Sequence, residues 1–161
     1  MSARWGRDGR KIHDDVIGVW DARQVQRKPF PLYDAMPAPL REVTLNVMWS
    51  QERLCRLDLP VERVAVEELG WQLSLPRWSF EGAPFAISPE QVRSDPDRYH
   101  VQYARTMAAD LTFPAHALLR TDGVLTLLDG VHRLLKADVL GQQTIEIRKV
   151  PTTCLDTIAA S

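Results

Sequence analysis

Asp129-Gly130-Val131-His132-Arg133, with Lys136 one turn further on, is the densest group of chemically capable residues in the 161-residue chain. An acid, an imidazole that titrates near neutrality and two cations fall close together around a glycine. Arg133 has the planar fork that pairs with two phosphate oxygens, and Lys136 adds a point charge. His132 can exchange a proton or steady transferring charge. Asp129 can hold magnesium or take a substrate proton, and Gly130 lets a phosphate approach the backbone closely. If the stretch opens a helix, its first amides lack partners and the macrodipole adds roughly half a positive charge there. His132, Arg133 and Lys136 in one first turn would then oppose the dipole. An anion bound at that end turns every one of these contacts into attraction. The plainer alternative makes Asp129 an ordinary N-cap with solvated basic neighbours.

The flanking sequence has the elements such a site requires. Apolar runs Ala115–Arg120 and Val124–Leu128 enclose Thr121-Asp122-Gly123, and an Asp-Gly between hydrophobic runs predicts a hairpin. Leu134, Leu135, Asp138 and Val139 follow at helical spacing, and Gly141 sits where a left-handed cap is wanted. Thr144–Arg148 alternates like a half-buried strand that Pro151 stops. Hairpin, helix, strand is therefore the expected order, with the motif at the strand-to-helix junction. Upstream, Phe85-Ala86-Ile87 predicts a short strand, and Ser88-Pro89-Glu90 opens a helical turn with serine as cap. From Arg98 to Leu111 a helix is expected, with Val101, Ala104, Met107, Ala108 and Leu111 as its apolar face. His100, Arg105 and Asp110 belong to that segment and form a second tier of site candidates.

At Asp129-Gly130-Val131-His132-Arg133, with the helix and the strand Ile145–Val150 behind it, the chain resembles the ParB/sulfiredoxin-like superfamily. The likeness covers residues 85–151 and is densest over the last forty or so residues. It implies a single small α/β (α+β) domain with a mixed sheet, binding a nucleotide's phosphates at the helix start. Sulfiredoxins resemble this motif with a cysteine where Val131 stands, so their thiolate chemistry is not expected here. ParB-type partition proteins carry a Gly-Glu-Arg-Arg-x-Arg box that only Gly130 and Arg133 match. With few residues after Pro151, a DNA-reading helix-turn-helix is not expected. The ParB-like free serine kinases carry Asp-Gly-His-His-Arg, which Asp129, Gly130, His132 and Arg133 match. Their acidic base has no glutamate counterpart here, only Asp95, Asp97 and His100 nearby. The resemblance itself does not select among these chemistries. The leading expectation is nucleotide binding with phosphoryl transfer from ATP or ADP to a small hydroxyl-bearing substrate, with Mg2+ held by Asp129 and the phosphates.

Length and composition set the outer bounds. Hydrophobic content of 45% and charged content of 25% suit one globular domain. A net charge of −1 supplies no general field for nucleic acid, so phosphate recognition must be local and a nuclease is disfavoured. Residues 1–40 read as a polar, Pro-rich extension. Arg4, Arg7, Arg10 and Lys11 are balanced there by Asp8, Asp14 and Asp15, and Phe30, Leu32 and Tyr33 are placed to dock on the domain at 41–161. Leu45–Trp49 and Leu54–Leu59 predict a further hairpin, leading into a strand at Val61–Val66 and a helical turn at Glu67-Glu68-Leu69. Trp71 and Trp78 either wall a pocket or cover the core. Cys55 and Cys154 lie far apart without metal-ligand spacing, and no apolar run is long enough to span a membrane, so a cytoplasmic protein is expected. Two alternatives stand beside the phosphotransferase. One is a nucleotide-responsive module without chemistry, meeting a protein partner through the Pro-rich arm or the Trp71/Trp78 region. The other is a ParB-like nuclease.

Overall fold

Residues 27–160 are described by a computed structural model, so the expectations for residues 4–15 lie outside the described residues. Short helices Ala38–Arg41 (α1) and Gln51–Cys55 (α2) precede strand Val61–Ala65 (β1). Helix Val66–Leu69 (α3) runs into a 3-10 turn at Gly70–Ser74, and a small hairpin follows from Trp78–Phe80 (β2) and Ala83–Ile87 (β3). Helices Pro89–Ser94 (α4) and His100–Ala108 (α5) lead to strands Ala115–Leu119 (β4) and Leu125–Asp129 (β5). Helix Val131–Val139 (α6), strand Thr144–Pro151 (β6) and helix Leu155–Ile158 (α7) complete the order. The main sheet runs β1-β6-β4-β5, with β6 parallel to β4 and both outer pairs antiparallel. The protein is thus of mixed α/β class.

The C-terminal unit follows its local signals. Gly123 takes φ 84° at the β4–β5 turn, and the Asp122 side chain accepts from the Val124 amide at 3.1 Å. Helix α6 ends on Gly141 at φ 68°, where the Gln142 amide reaches the Ala137 carbonyl and the Gly141 amide that of Asp138. That is the paired-bond cap glycine permits. Because β5 and β6 flank β4 on opposite sides, α6 must cross over β4 to connect them. The strand beneath it offers Ala115 and Ala117, both fully buried, so the helix packs close with Leu134 and Leu135 directed into the core. The opposite face of the sheet is covered by α2 and α7, whose Leu54 and Ile158 pack with Val150 of β6.

Three expectations are corrected. Residues 45–59 make no hairpin: Ser50 caps α2 by accepting from the Arg53 amide at 3.3 Å, and Trp49 bridges Ala159 instead. The Ser-x-x capping signal outweighed the apolar run around it. Helix α5 spans His100–Ala108 rather than Arg98–Leu111, and its faces are reversed. Thr106 is buried and Gln102 and Tyr103 partly so, while Val101 stays 55% exposed and Ala104 and Ala108 face solvent. The inward side is mixed: Gln102 meets His132 at the start of α6, while Tyr103 packs on the main core. In the arm, Phe30 and Tyr33 do pack on the domain, with Met36 and Leu40 beside Leu75 and Phe85, but Leu32 is 60% exposed. Leu40 is buried within α1, which crosses residue 40.

Candidate functional site

Strand β5 ends at Asp129, and Gly130 turns the chain into α6 at φ 105°. A Cβ at Gly130 would stand 2.4 Å from the Ala115 Cβ and 3.3 Å from Arg133 Nη1, so both the backbone angle and the space demand glycine. Gly130 is the N-cap residue and offers no side-chain bond, which corrects the reading of Asp129 as an ordinary cap. The first α6 amide to find a partner is that of Leu134, on the Gly130 carbonyl at 2.9 Å. The helix start is therefore electropositive and uncapped.

Around it, Arg105, Asp110, Asp129, Gly130, His132 and Arg133 line one open cleft of about 220 Å³. Six of the eight predicted site residues thus converge. Arg133 Nη1 donates to Asp129 Oδ2 at 3.3 Å and to the Pro114 carbonyl at 3.4 Å, which leaves its Nε and Nη2 without partners among the described residues. Asp129 Oδ1 likewise accepts nothing there. Asp110 turns back on its own loop, accepting from the Thr112 hydroxyl at 2.7 Å and amide at 2.9 Å. Those bonds, with weaker help from Lys136 and Arg133, hold its carboxyl below the usual range and keep it ionised.

His132 is fixed on two sides. Its ring stacks on Trp78 at 4.6 Å and 15°, and Nε2 lies 2.9 Å from Gln102 Oε1. An amide oxygen only accepts, so a neutral ring carries its proton on Nε2 and keeps its lone pair on Nδ1. Burial pushes the His132 pKa down, Arg105 and Arg133 push the same way, and Asp129 opposes them. The ring is accordingly a neutral acceptor at pH 7 rather than a cation.

Two predicted residues stand apart. Lys136 lies in the last turn of α6, not the first, and its Nζ donates to the Ala109 carbonyl at 2.6 Å. A cation there satisfies the C-terminal end of α5. It lines an adjoining hollow with Asp110 and Thr112. His100 opens α5 and borders a different hollow, beside Phe80 and Tyr99. Sequence reasoning missed Gln102, although it sits one turn before Arg105 on the same helix face. Trp78, weighed as pocket wall or core cover, does both, while Trp71 is 38% exposed. Among the described residues no group of three or more His, Cys, Asp or Glu side chains is arranged to hold a metal, and no helix is long and apolar enough to cross a membrane. Comparisons with protein-family models, with curated proteins and with solved structures return no match for this chain.

Proposed function

We propose that the cleft at the start of α6 binds the phosphates of a nucleotide, and that the protein transfers a phosphoryl group from ATP or ADP to a small hydroxyl-bearing substrate. The observation that carries this reading is the convergence of Arg105, Arg133 and the uncapped helix start on one cleft beside a neutral histidine. Arg133 retains Nε and Nη2 for a bidentate phosphate contact while Nη1 is anchored by Asp129. His132 Nδ1 would accept the hydroxyl proton as the new P–O bond forms and the bond to the leaving nucleotide breaks. A cleft lined by Asp129 and Asp110 fits magnesium, which takes one or two carboxylates and completes its shell with phosphates and water. Asp129 Oδ1 is the oxygen available to it, and the ion would neutralise phosphate charge. The likeness of Asp129-Gly130-Val131-His132-Arg133 to the ParB-like free serine kinases supports the same choice of ligand.

A nucleotide-responsive module without chemistry is the second reading, favoured by the structural partners that Arg133 and Lys136 already have. Isothermal titration with ATP, ADP and CTP, with and without magnesium, tests the shared premise. Binding is expected, and Arg133→Ala should cost about 1.5–3 kcal/mol of nucleotide affinity. No binding of any nucleotide overturns both readings. Incubation with labelled ATP and a pool of amino acids and sugars then separates them: a labelled product means transfer, and its absence means a binder.

A further inference from the structure

A second cavity, of about 200 Å³, lies between the arm and strand β5, walled by Phe30, Trp49, Trp78, Phe85 and Leu128, with Arg77 in its lining. Among the described residues no carboxylate borders it. Arg77 follows the 3-10 turn, where Nη2 donates to Gln72 Oε1 at 3.2 Å. Its Nε is buried and has no hydrogen-bond partner among the described residues. Desolvation alone lowers the Arg77 pKa to about 10, with no acidic group offsetting it. The half-buried side chain therefore stays charged at neutral pH beside apolar walls, with Nε shielded from water, an arrangement that an anion in the cavity would relieve.

The wall itself carries strain. Pairing of β2 with β3 slips between Trp78 and Phe80, and Phe85 sits in the resulting bulge at φ 52°. A bulky residue in the left-handed region is disfavoured, and such strain persists where the surroundings hold it, often at ligand clamps. Bulges also re-aim side chains, and this one turns Phe85 toward the cavity and the Met36–Leu40 cluster.

We propose that this cavity is a binding site for a small organic monocarboxylate, its apolar body held among Phe30, Trp49, Trp78 and Phe85 and its carboxylate on Arg77. One guanidinium balances one negative charge, whereas a phosphate dianion would leave a buried charge unpaired. The volume lies below the roughly 300–1,000 Å³ of sites for drug-sized ligands, which selects small acids. The site is separate from the nucleotide cleft, although Trp78 serves both, stacking on His132 there and lining the cavity here.

Isothermal titration of the full chain with phenylacetate and hexanoate, each compared with its neutral amide, tests the proposal without any nucleotide. At least one acid is expected to bind, and its amide at least about tenfold more weakly. Arg77→Met should weaken that acid by a similar factor while leaving Tm unchanged or raised, because an apolar chain replaces an uncompensated cation. Phenyl phosphate should bind more weakly than phenylacetate. The proposal is overturned if neither acid binds, if amide and acid bind alike, if Arg77→Met keeps the acid's affinity, or if phenyl phosphate binds more tightly. The comparison of acid with amide uses the unaltered chain, so it decides the matter even where the variant folds poorly.

Discussion

Gly130 answers to two demands, and only one of them belongs to a ligand. Its φ of 105° and the Ala115 Cβ standing where a side chain would begin require glycine whether or not a phosphate arrives. Gly130→Ala should therefore destabilise the protein by about 2–5 kcal/mol, from left-handed strain plus overpacking, read as a lower denaturation midpoint. Arg133→Ala behaves differently. Its ion pair with Asp129 is partly exposed, so stability should fall by only about 0.2–1 kcal/mol while nucleotide affinity suffers the larger loss. A variant that loses stability and leaves affinity intact would reassign Arg133 to structure alone. At this scale the sequence was readable where neighbours in the chain are neighbours in the cleft, as from Asp129 to Arg133. It was unreadable where the partner comes from elsewhere. Ala115 dictates Gly130, Gln102 orients His132, and Ala109 draws Lys136 out of the site, each across a tertiary contact that spacing does not encode.

Elements were legible where local chemistry and burial agree. The Asp-Gly turn, the Ser88 cap and the Gly141 cap each determine a boundary by short-range bonds, and Gln91 completes a capping box at Ser88. Helix α5 was misread because Val101, Ala104 and Ala108 face solvent while Gln102, Tyr103 and Thr106 turn inward, so periodicity gave the helix but not its orientation. A third kind of feature left no trace in pattern at all. Strand β5 is an edge of the main sheet, and Gln72 from the 3-10 turn covers it. The amide donates to the Leu125 carbonyl at 3.2 Å and accepts from the Leu127 amide at 2.8 Å, standing in for a fifth strand. The same oxygen takes Arg77. Gln72 is fully buried, so Gln72→Ala strands several polar groups at once and should cost about 2–4 kcal/mol. Thermal denaturation checks this, and a loss under 1 kcal/mol, about the net worth of one hydrogen bond, would mean that water replaces the side chain.

Across the whole molecule the two depressed histidines tie stability to pH. His116 lies in the central strand β4, opposite Asp129 on one side and Arg148 on the other, and is only 4% exposed. Neither of its ring nitrogens has a hydrogen-bond partner among the described residues. Burial pushes its pKa down; Asp129 pulls it up, and Arg148 and Arg133 push it further down. His132 is depressed for the reasons already given, facing Arg105, Asp129 and Arg133. A histidine with a lowered folded pKa binds fewer protons than the unfolded chain does as pH falls. Its contribution is therefore fully present above the ordinary imidazole value of about 6.5, and is lost as pH drops from there through the folded value. Denaturant midpoints should decline through that window, before the carboxylates begin to titrate near about pH 4. His116→Leu separates the two rings. Replacing a buried, unpartnered imidazole by an apolar side chain of similar size should leave the protein at least as stable at neutral pH and flatten the decline on acidification. An unchanged slope in that variant would assign the whole effect to His132, and the slope should then diminish when a nucleotide holds that ring in the cleft.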